Sequence, residues 1–183
     1  MAFTGDVRFK TILASVLEEN ELRGKSPYEI QYAGGNSGWS FGVPQYDLST
    51  RNQEGINLFI RILQNAKNGS NYIIDDGDPL TGRTNDKKVA DLLAKAKMIG
   101  GQSLSAEEKG LINQALSSTY GISAIDGALD GTLQRLINDA TRATNLTSGD
   151  DRTFLQSDLG RLFLCDYDNQ LDITPGGDLE KFI

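Results

Sequence analysis

The chain contains no histidine and a single cysteine, Cys165, in 183 residues. Without histidine there is no Ser-His-Asp or Cys-His triad, few routes to a zinc site, and no side chain that titrates naturally near neutrality. One cysteine excludes an intrachain disulfide. Clustered Lys and Arg are also missing: Lys and Arg number 18 against 25 Asp and Glu, giving a net charge of -7 and an isoelectric point near 4.6. Neutralising a phosphate backbone needs a basic patch, so nucleic acid is not an expected partner. No apolar run approaches the ~18 residues that span a bilayer, so no membrane insertion is expected. The opening MAFTGDVRFK lacks a basic region followed by an apolar core, so no secretory signal is expected. If this chain performs acid–base chemistry, a carboxyl group is the expected proton carrier.

What is present is mostly helical periodicity. Phe9, Ile12, Leu13, Val16 and Leu17 fall at helical spacing, predicting a first helix that ends between Asn20 and Gly24. Residues 52–67 carry Ile56, Leu58, Phe59, Ile60, Ile62 and Leu63, an apolar arc wide enough for a central core helix. Further helices are predicted over 86–99, from Ser105 with a Ser105/Glu108 capping box and an apolar face of Leu111, Ile112, Ala115 and Leu116, over 126–143, and over 151–164 through Leu155, Leu159, Leu162 and Phe163. Residues 69–85 read as a loop, as does the tail after Asp172. Two acidic stretches invite a cation: Asp75, Asp76 and Asp78, and Asp166, Asp168, Gln170 and Asp172. The second resembles the start of a calcium loop, but Leu171 stands in place of the required glycine and Gly177 in place of the bidentate Glu. Solvated turns and caps are the expectation for both, and no metal or other cofactor is assigned.

The exception to the helical pattern is residues 26–49, SPYEIQYAGGNSGWSFGVPQYDLS. Gly34, Gly35, Gly38, Gly42 and Pro44 demand turns, and Phe41 and Val43 suggest a short strand or hairpin. One reading is purely structural: tight turns, with Trp39 and Phe41 in the core and Glu29 at the surface. The other starts from glycoside cleavage, in which a carboxylic acid must stay protonated to donate to the glycosidic oxygen, and an apolar wall keeps it so. Glu29 is then the acid and Tyr28, Trp39 and Phe41 the wall. Ser40, Gln45 and Asp47 are candidates to place water or meet the developing cation. Trp39, Tyr46, Tyr32, Asn36 and Gln45 supply aromatic and hydrogen-bonding contacts to sugar.

The order Glu29, a Gly/Asn/Ser-rich loop, then Phe41-Gly42-Val43-Pro44-Gln45-Tyr46-Asp47 resembles the segment that follows the catalytic Glu in goose-type lysozymes and lytic transglycosylases. YAGGNSGWSFGVPQ is also similar to the hairpin of phage lysozymes and pesticin-like bacteriocins, with Tyr32 opening it and Ser40-Phe41-Gly42 closing it. The similarity covers about 25 of 183 residues. It departs at Ile30, at Pro44 and at Gly34, the last standing where phage lysozymes carry a second Asp. In the phage alignment the acid position falls at Lys25, which makes Glu21 or Glu19, at the end of the first helix, the nearest alternatives to Glu29. The resemblance implies a mainly α (α+β), lysozyme-like single domain over 1–183, with a glycine-rich hairpin lobe over about 1–50 and a larger helical lobe over 51–183. It implies a muramidase that cleaves the β-1,4 bond between MurNAc and GlcNAc in peptidoglycan, used as a phage lysis enzyme or an antibacterial effector. Such a protein is made in the cytoplasm and reaches the periplasm or cell wall through a holin or a secretion system; an effector also implies an immunity protein as partner. The alternatives are a non-catalytic glycan-binding or interaction module on the same scaffold, and a chitinase- or chitosanase-like glycosidase.

Overall fold

A computed structural model describes residues 7–32, 38–49, 53–75, 84–99 and 103–171. Asn36, Asp76, Asp78, Asp172 and the predicted loop that follows lie outside these residues. The chain is mainly helical, with a small three-stranded sheet. No described helix is long and apolar enough to cross a membrane.

Helix α1, Val7–Leu17, buries Phe9, Leu13 and Leu17, a stripe at steps of four residues. Ile12, also expected in the core, is 41% exposed. The next position on that stripe in α geometry is Glu21. Instead the chain makes a π-helical turn, Glu18–Leu22, which buries Leu22. The wider turn inserts one residue, so Leu22 takes the core position and Glu21 is set beside it. Arg23 (φ 49°) and Gly24 (φ 81°) then end the helix in the left-handed region.

The glycine-rich block forms an antiparallel meander of β1 (Gln31–Tyr32), β2 (Trp39–Phe41) and β3 (Tyr46–Asp47). Gln31 faces Ser40, and Ser40 faces Asp47. The β2–β3 turn uses Gly42 (φ 76°) and Gln45 (φ 52°). Helix α2, Gln53–Asn65, buries Gly55, Ile56, Leu58, Phe59, Ile62 and Leu63. A Cβ on Gly55 would lie 2.8 Å from Tyr46 Cβ, so glycine lets α2 close onto β3. The predicted loop from 69 holds a tight hairpin instead: β4 (Lys67–Asn68) pairs with β5 (Asn71–Tyr72) around Gly69, whose φ of 63° suits the turn. Helices α3 (Asp86–Ala96) and α4 (Ala106–Leu116) follow. Helix α4 opens with the predicted capping box: Ser105 N donates to Glu108 Oε2 and Glu108 N to Ser105 Oγ.

Helix α5, Thr119–Leu146, is twice as long as most and extends the prediction at both ends. The predicted last helix is two, α6 (Gly149–Leu155) and α7 (Asp158–Leu171). Two junctions, α4–α5 and α6–α7, share one construction. Each reads Leu-x-Ser-x-x-Gly: Leu116 to Gly121 and Leu155 to Gly160. In each the serine Oγ accepts from the glycine N–H (Ser118 and Gly121, 3.0 Å; Ser157 and Gly160, 3.1 Å). The same hydroxyl donates back to the helix just ended, at Ala115 O and Phe154 O. The serine thus caps one helix and starts the next. A Cβ on either glycine would lie 2.3 Å from a carbonyl oxygen of the preceding helix, Ala115 O or Phe154 O.

Two compact units result. Gly24–Leu129 is one; Met1–Arg23 with Asp130–Ile183 is the other. The first is built on a core that includes Trp39, Phe41, Tyr46, Phe59, Ile62, Leu92 and Leu116. The second buries Leu13, Leu17 and Leu22 with Leu133, Leu136, Ile137, Leu164 and Cys165. On α7 the buried face is Arg161, Leu164, Cys165 and Asp168, while the predicted core residues Leu159 and Phe163 are 69% and 59% exposed.

Candidate functional site

Glu29 lies in the first unit, on a segment pinned on both sides. Gly42 N donates to Pro27 O (2.9 Å), Tyr28 Oη to Asp126 Oδ1 (2.9 Å), Ile30 N to Asn113 Oδ1 (2.8 Å) and Gln31 Nε2 to Ser26 O (3.0 Å). The turn after β2 therefore holds the acid-bearing segment directly. Glu29 itself is exposed, whereas Trp39 and Phe41, two of the rings expected to wall it, are buried.

The polar residues of the block are engaged with one another. Ser40, almost wholly buried, donates its hydroxyl to Gln45 Oε1 at 2.6 Å, and Gln45 Nε2 reaches Gly42 O at 3.4 Å. Asp47, half-buried, accepts from Ser49 N (2.8 Å), Ser49 Oγ (2.7 Å) and Gly38 N (3.4 Å). These bonds close the turns that the glycines open. Trp39 and Tyr46, expected as a sugar platform, are 6% and 4% exposed. Trp39 Nε1 bonds Ser103 Oγ (3.4 Å), and its ring packs 5.5 Å from Tyr32 and under Lys109 Nζ (5.6 Å). Tyr32 is half-buried and is the most exposed of the three expected sugar-binding rings. The structure thus brings Ser40, Gln45 and Asp47 onto one small sheet, with much of their hydrogen-bonding capacity turned inward.

The second unit holds a different arrangement. Glu21 is half-buried, while Glu19 is exposed. Its Oε1 accepts from Asn169 Nδ2 of α7 at 3.0 Å. One residue earlier, Asn20 Nδ2 donates to Asp166 Oδ1 of the same helix, also at 3.0 Å. Burial pushes the Glu21 carboxyl above the usual glutamate range, and the nearby Asp166 adds to that rise; the Asn169 bond and Arg23 act against it. Burial and a like charge are the two influences that favour the protonated form of a carboxylic acid.

The chain matches no protein-family model, no curated protein and no solved structure.

The acidic run at 166–170 is helical, not a calcium loop. On a helix, residues two apart point to opposite sides: Asp168 is buried against Arg135 Nη1 (3.1 Å), and Asp166 faces Asn20. Among the described residues no group of three potential ligands converges on a metal position. Cys165 is buried, and its thiol is pushed up to about 12, by burial first and by Asp168 next. A thiol held protonated is a poor nucleophile.

Sequence reasoning names Glu21 only as an alternative and misses Asn169 and Asn20 altogether. The apolar series Phe9, Leu13, Leu17, Leu22 steps by four, four and five. That five is a legible trace of the π-turn. Nothing local marks Asn169 as its partner, 148 residues away.

Proposed function

We propose that this protein is a glycosidase acting on an amino-sugar polymer of the peptidoglycan class, with Glu21 as its general acid. The observation that carries the reading is the half-buried Glu21 carboxyl, pushed toward the protonated form by its surroundings in a chain that has no histidine to serve instead. Protonating a glycosidic oxygen requires such a group, and no cofactor. The resemblance to goose-type and phage lysozymes supports the substrate class. The glycine-rich sheet then serves as scaffold, and Glu29 is a surface residue beside it. In this reading the protein acts at the cell wall as a phage lysis enzyme or antibacterial effector, the latter with an immunity protein.

A second reading has its own observation. Ser40, Gln45 and Asp47 bond within the block, and Trp39 and Tyr46 are in the core. Such a block suits a non-catalytic glycan-binding or interaction module.

The test is digestion of purified peptidoglycan, with chitosan alongside, by the wild type, Glu21→Gln and Glu29→Gln, following soluble products by mass. Gln keeps the shape and removes the transferable proton, so loss of the general acid lowers the rate by about 10²–10⁴-fold. Loss in Glu21→Gln alone supports the proposal. Loss in Glu29→Gln alone moves the acid to Glu29. No product from any of the three supports the binding module. Product mass separates hydrolysis from formation of an anhydro-sugar.

A further inference from the structure

We propose that Asn169 is the positioning residue for Glu21: its amide holds Oε1 so that Oε2 is the oxygen that carries and delivers the proton. This deepens the reading of Glu21 as general acid and rests on it. The geometry is a two-rung ladder. Asn169 Nδ2 donates to Glu21 Oε1, and Asn20 Nδ2 donates to Asp166 Oδ1, each at 3.0 Å. Asp166 and Asn169 are three apart on α7 and so share one face. Asn20 and Asn169 therefore fasten the π-helical turn to α7 at the residue that matters and at its neighbour.

The chemistry of the donor fits the task. A lysine or arginine at position 169 would favour the ionised carboxylate and strip the acid of its proton. A neutral amide orients the carboxyl through a hydrogen bond worth far less. With Oε1 accepting from the amide, the acidic hydrogen resides on Oε2. In the transfer, the Oε2–H bond breaks and an O–H bond forms on the glycosidic oxygen. The electron pair of the sugar C–O bond departs with that oxygen, and Glu21 is left as a carboxylate. Asn169 then donates to an anion, a stronger bond than the one it made to the acid, so the contact stabilises the product of proton transfer more than its reactant.

The charged groups acting on Glu21 are Asp166 from α7 and Arg23 from its own segment. This sets opposite expectations for two near-isosteric changes. Asn169→Asp replaces the donor with a like charge, so the acid dissociation constant of Glu21 falls several-fold. Asp166→Asn keeps an acceptor for Asn20 and removes a like charge, so that constant rises. Asn169→Leu, which removes the donor without adding charge, moves it in the same direction as Asn169→Asp but less. The readout is the side-chain ¹³C carboxyl resonance of Glu21 followed through a pH titration of the full chain. The alkaline limb of the rate of peptidoglycan release is read beside it. A merely structural contact changes the melting temperature and the titration but leaves the rate of release well below that titration unchanged in Asn169→Leu, whereas a positioning contact lowers that rate too. Opposite displacements in Asn169→Asp and Asp166→Asn, tracked by the alkaline limb, support the proposal. A Glu21 titration that does not move in folded Asn169→Asp overturns it. Expected titration shifts in a protein that releases no muropeptide refute the glycosidase reading, and with it the catalytic use of the ladder. A cleaving wild type whose Glu21 titration ignores Asn169 refutes the ladder alone.

Discussion

Replacing Gly121 by alanine should destabilise the protein, although alanine is the better helix former. Gly121 is in the first turn of α5, and a Cβ built on it lies 2.3 Å from Ala115 O, 2.4 Å from Leu116 O and 2.8 Å from Leu116 C. Real Cβ atoms do not approach within 3.0 Å, so the two helices must separate by more than half an ångström. The obstructing atoms are backbone, which cannot rotate aside. Forced overpacking of this kind costs about 1–3 kcal/mol, toward the upper end where backbone must move. Separation also lengthens the Ser118–Gly121 bond that starts the helix. Against this stands the helix preference of alanine over glycine, about 1 kcal/mol. The net expectation is a loss of about 1–2 kcal/mol, or roughly 2–8 °C in Tm for a chain of this size. Gly127 and Gly131 lie later in the same helix with nothing within 4 Å of a Cβ. At those positions only the preference operates, so Gly127→Ala and Gly131→Ala should each gain up to ~1 kcal/mol. The measurement is thermal unfolding by circular dichroism of the three variants beside wild type. A Gly121→Ala protein that melts at or above the wild type refutes the close-packed junction, and with it the parallel made with Gly160.

Three other outcomes follow from contacts described above. Glu21→Gln should be more stable than wild type at neutral pH: a carboxyl raised above its ordinary 4.5 in the fold contributes fully below the unfolded value and loses that contribution as pH rises through the folded value. The gap between variant and wild type therefore opens as pH rises from below 4.5, and denaturant midpoints at pH 4 and pH 7 check it. Cys165, buried and pushed up to about 12, should resist a thiol-alkylating reagent at pH 8 in the folded protein and react once denaturant is added, as mass spectrometry will show; fast labelling of the folded chain would place it at the surface. Ser105→Ala removes half of the α4 capping box and should cost about 1 kcal/mol in urea unfolding.

The helical character of the chain is legible in the spacing of its leucines and isoleucines, and α2 and the Ser105 cap are recovered almost residue for residue. Three features escape for different reasons. The junction at Ser157 is missed because apolar periodicity runs through it, and the break between α4 and α5, expected before Asp126, falls at Ser118 instead. Their signal is polar: a serine with a glycine three residues on, where the capping box has glutamate. On α7 the apolar residues Leu159 and Phe163 point outward because the inward face, packed on α1, carries Arg161 and Asp168 beside Leu164 and Cys165, and a hydrophobic scale cannot anticipate an arginine and an aspartate inside. The glycine-rich block is correctly read as turns and short strands, yet its serine, glutamine and aspartate carry the same types whether they face a ligand or one another. Only coordinates distinguish those cases.

At Glu21 the proposed acid chemistry and the fold make opposite demands on one position. A straight α1 would put a glutamate on the stripe of Phe9, Leu13 and Leu17 and leave Leu22 outside it. The π-turn exchanges the two, at the expense of regular hydrogen bonding over one turn. The exchange does not return Glu21 to water: the carboxyl stays half-buried, beside Asp166, with Asn169 as its neutral partner. A segment selected only for stability would place a polar group with no raised proton affinity there, such as glutamine, which could still accept from Asn169. From the direction of its shift the glutamate is expected to cost stability at neutral pH, and a cost borne at one residue is what acid chemistry at that residue would require. Glu21→Gln therefore weighs both sides of the argument in one protein. A variant that gains stability at pH 7 and loses peptidoglycan release has traded one for the other. A variant that gains stability and keeps full release shows a strained glutamate with no part in the chemistry, and the acid must be sought at Glu29.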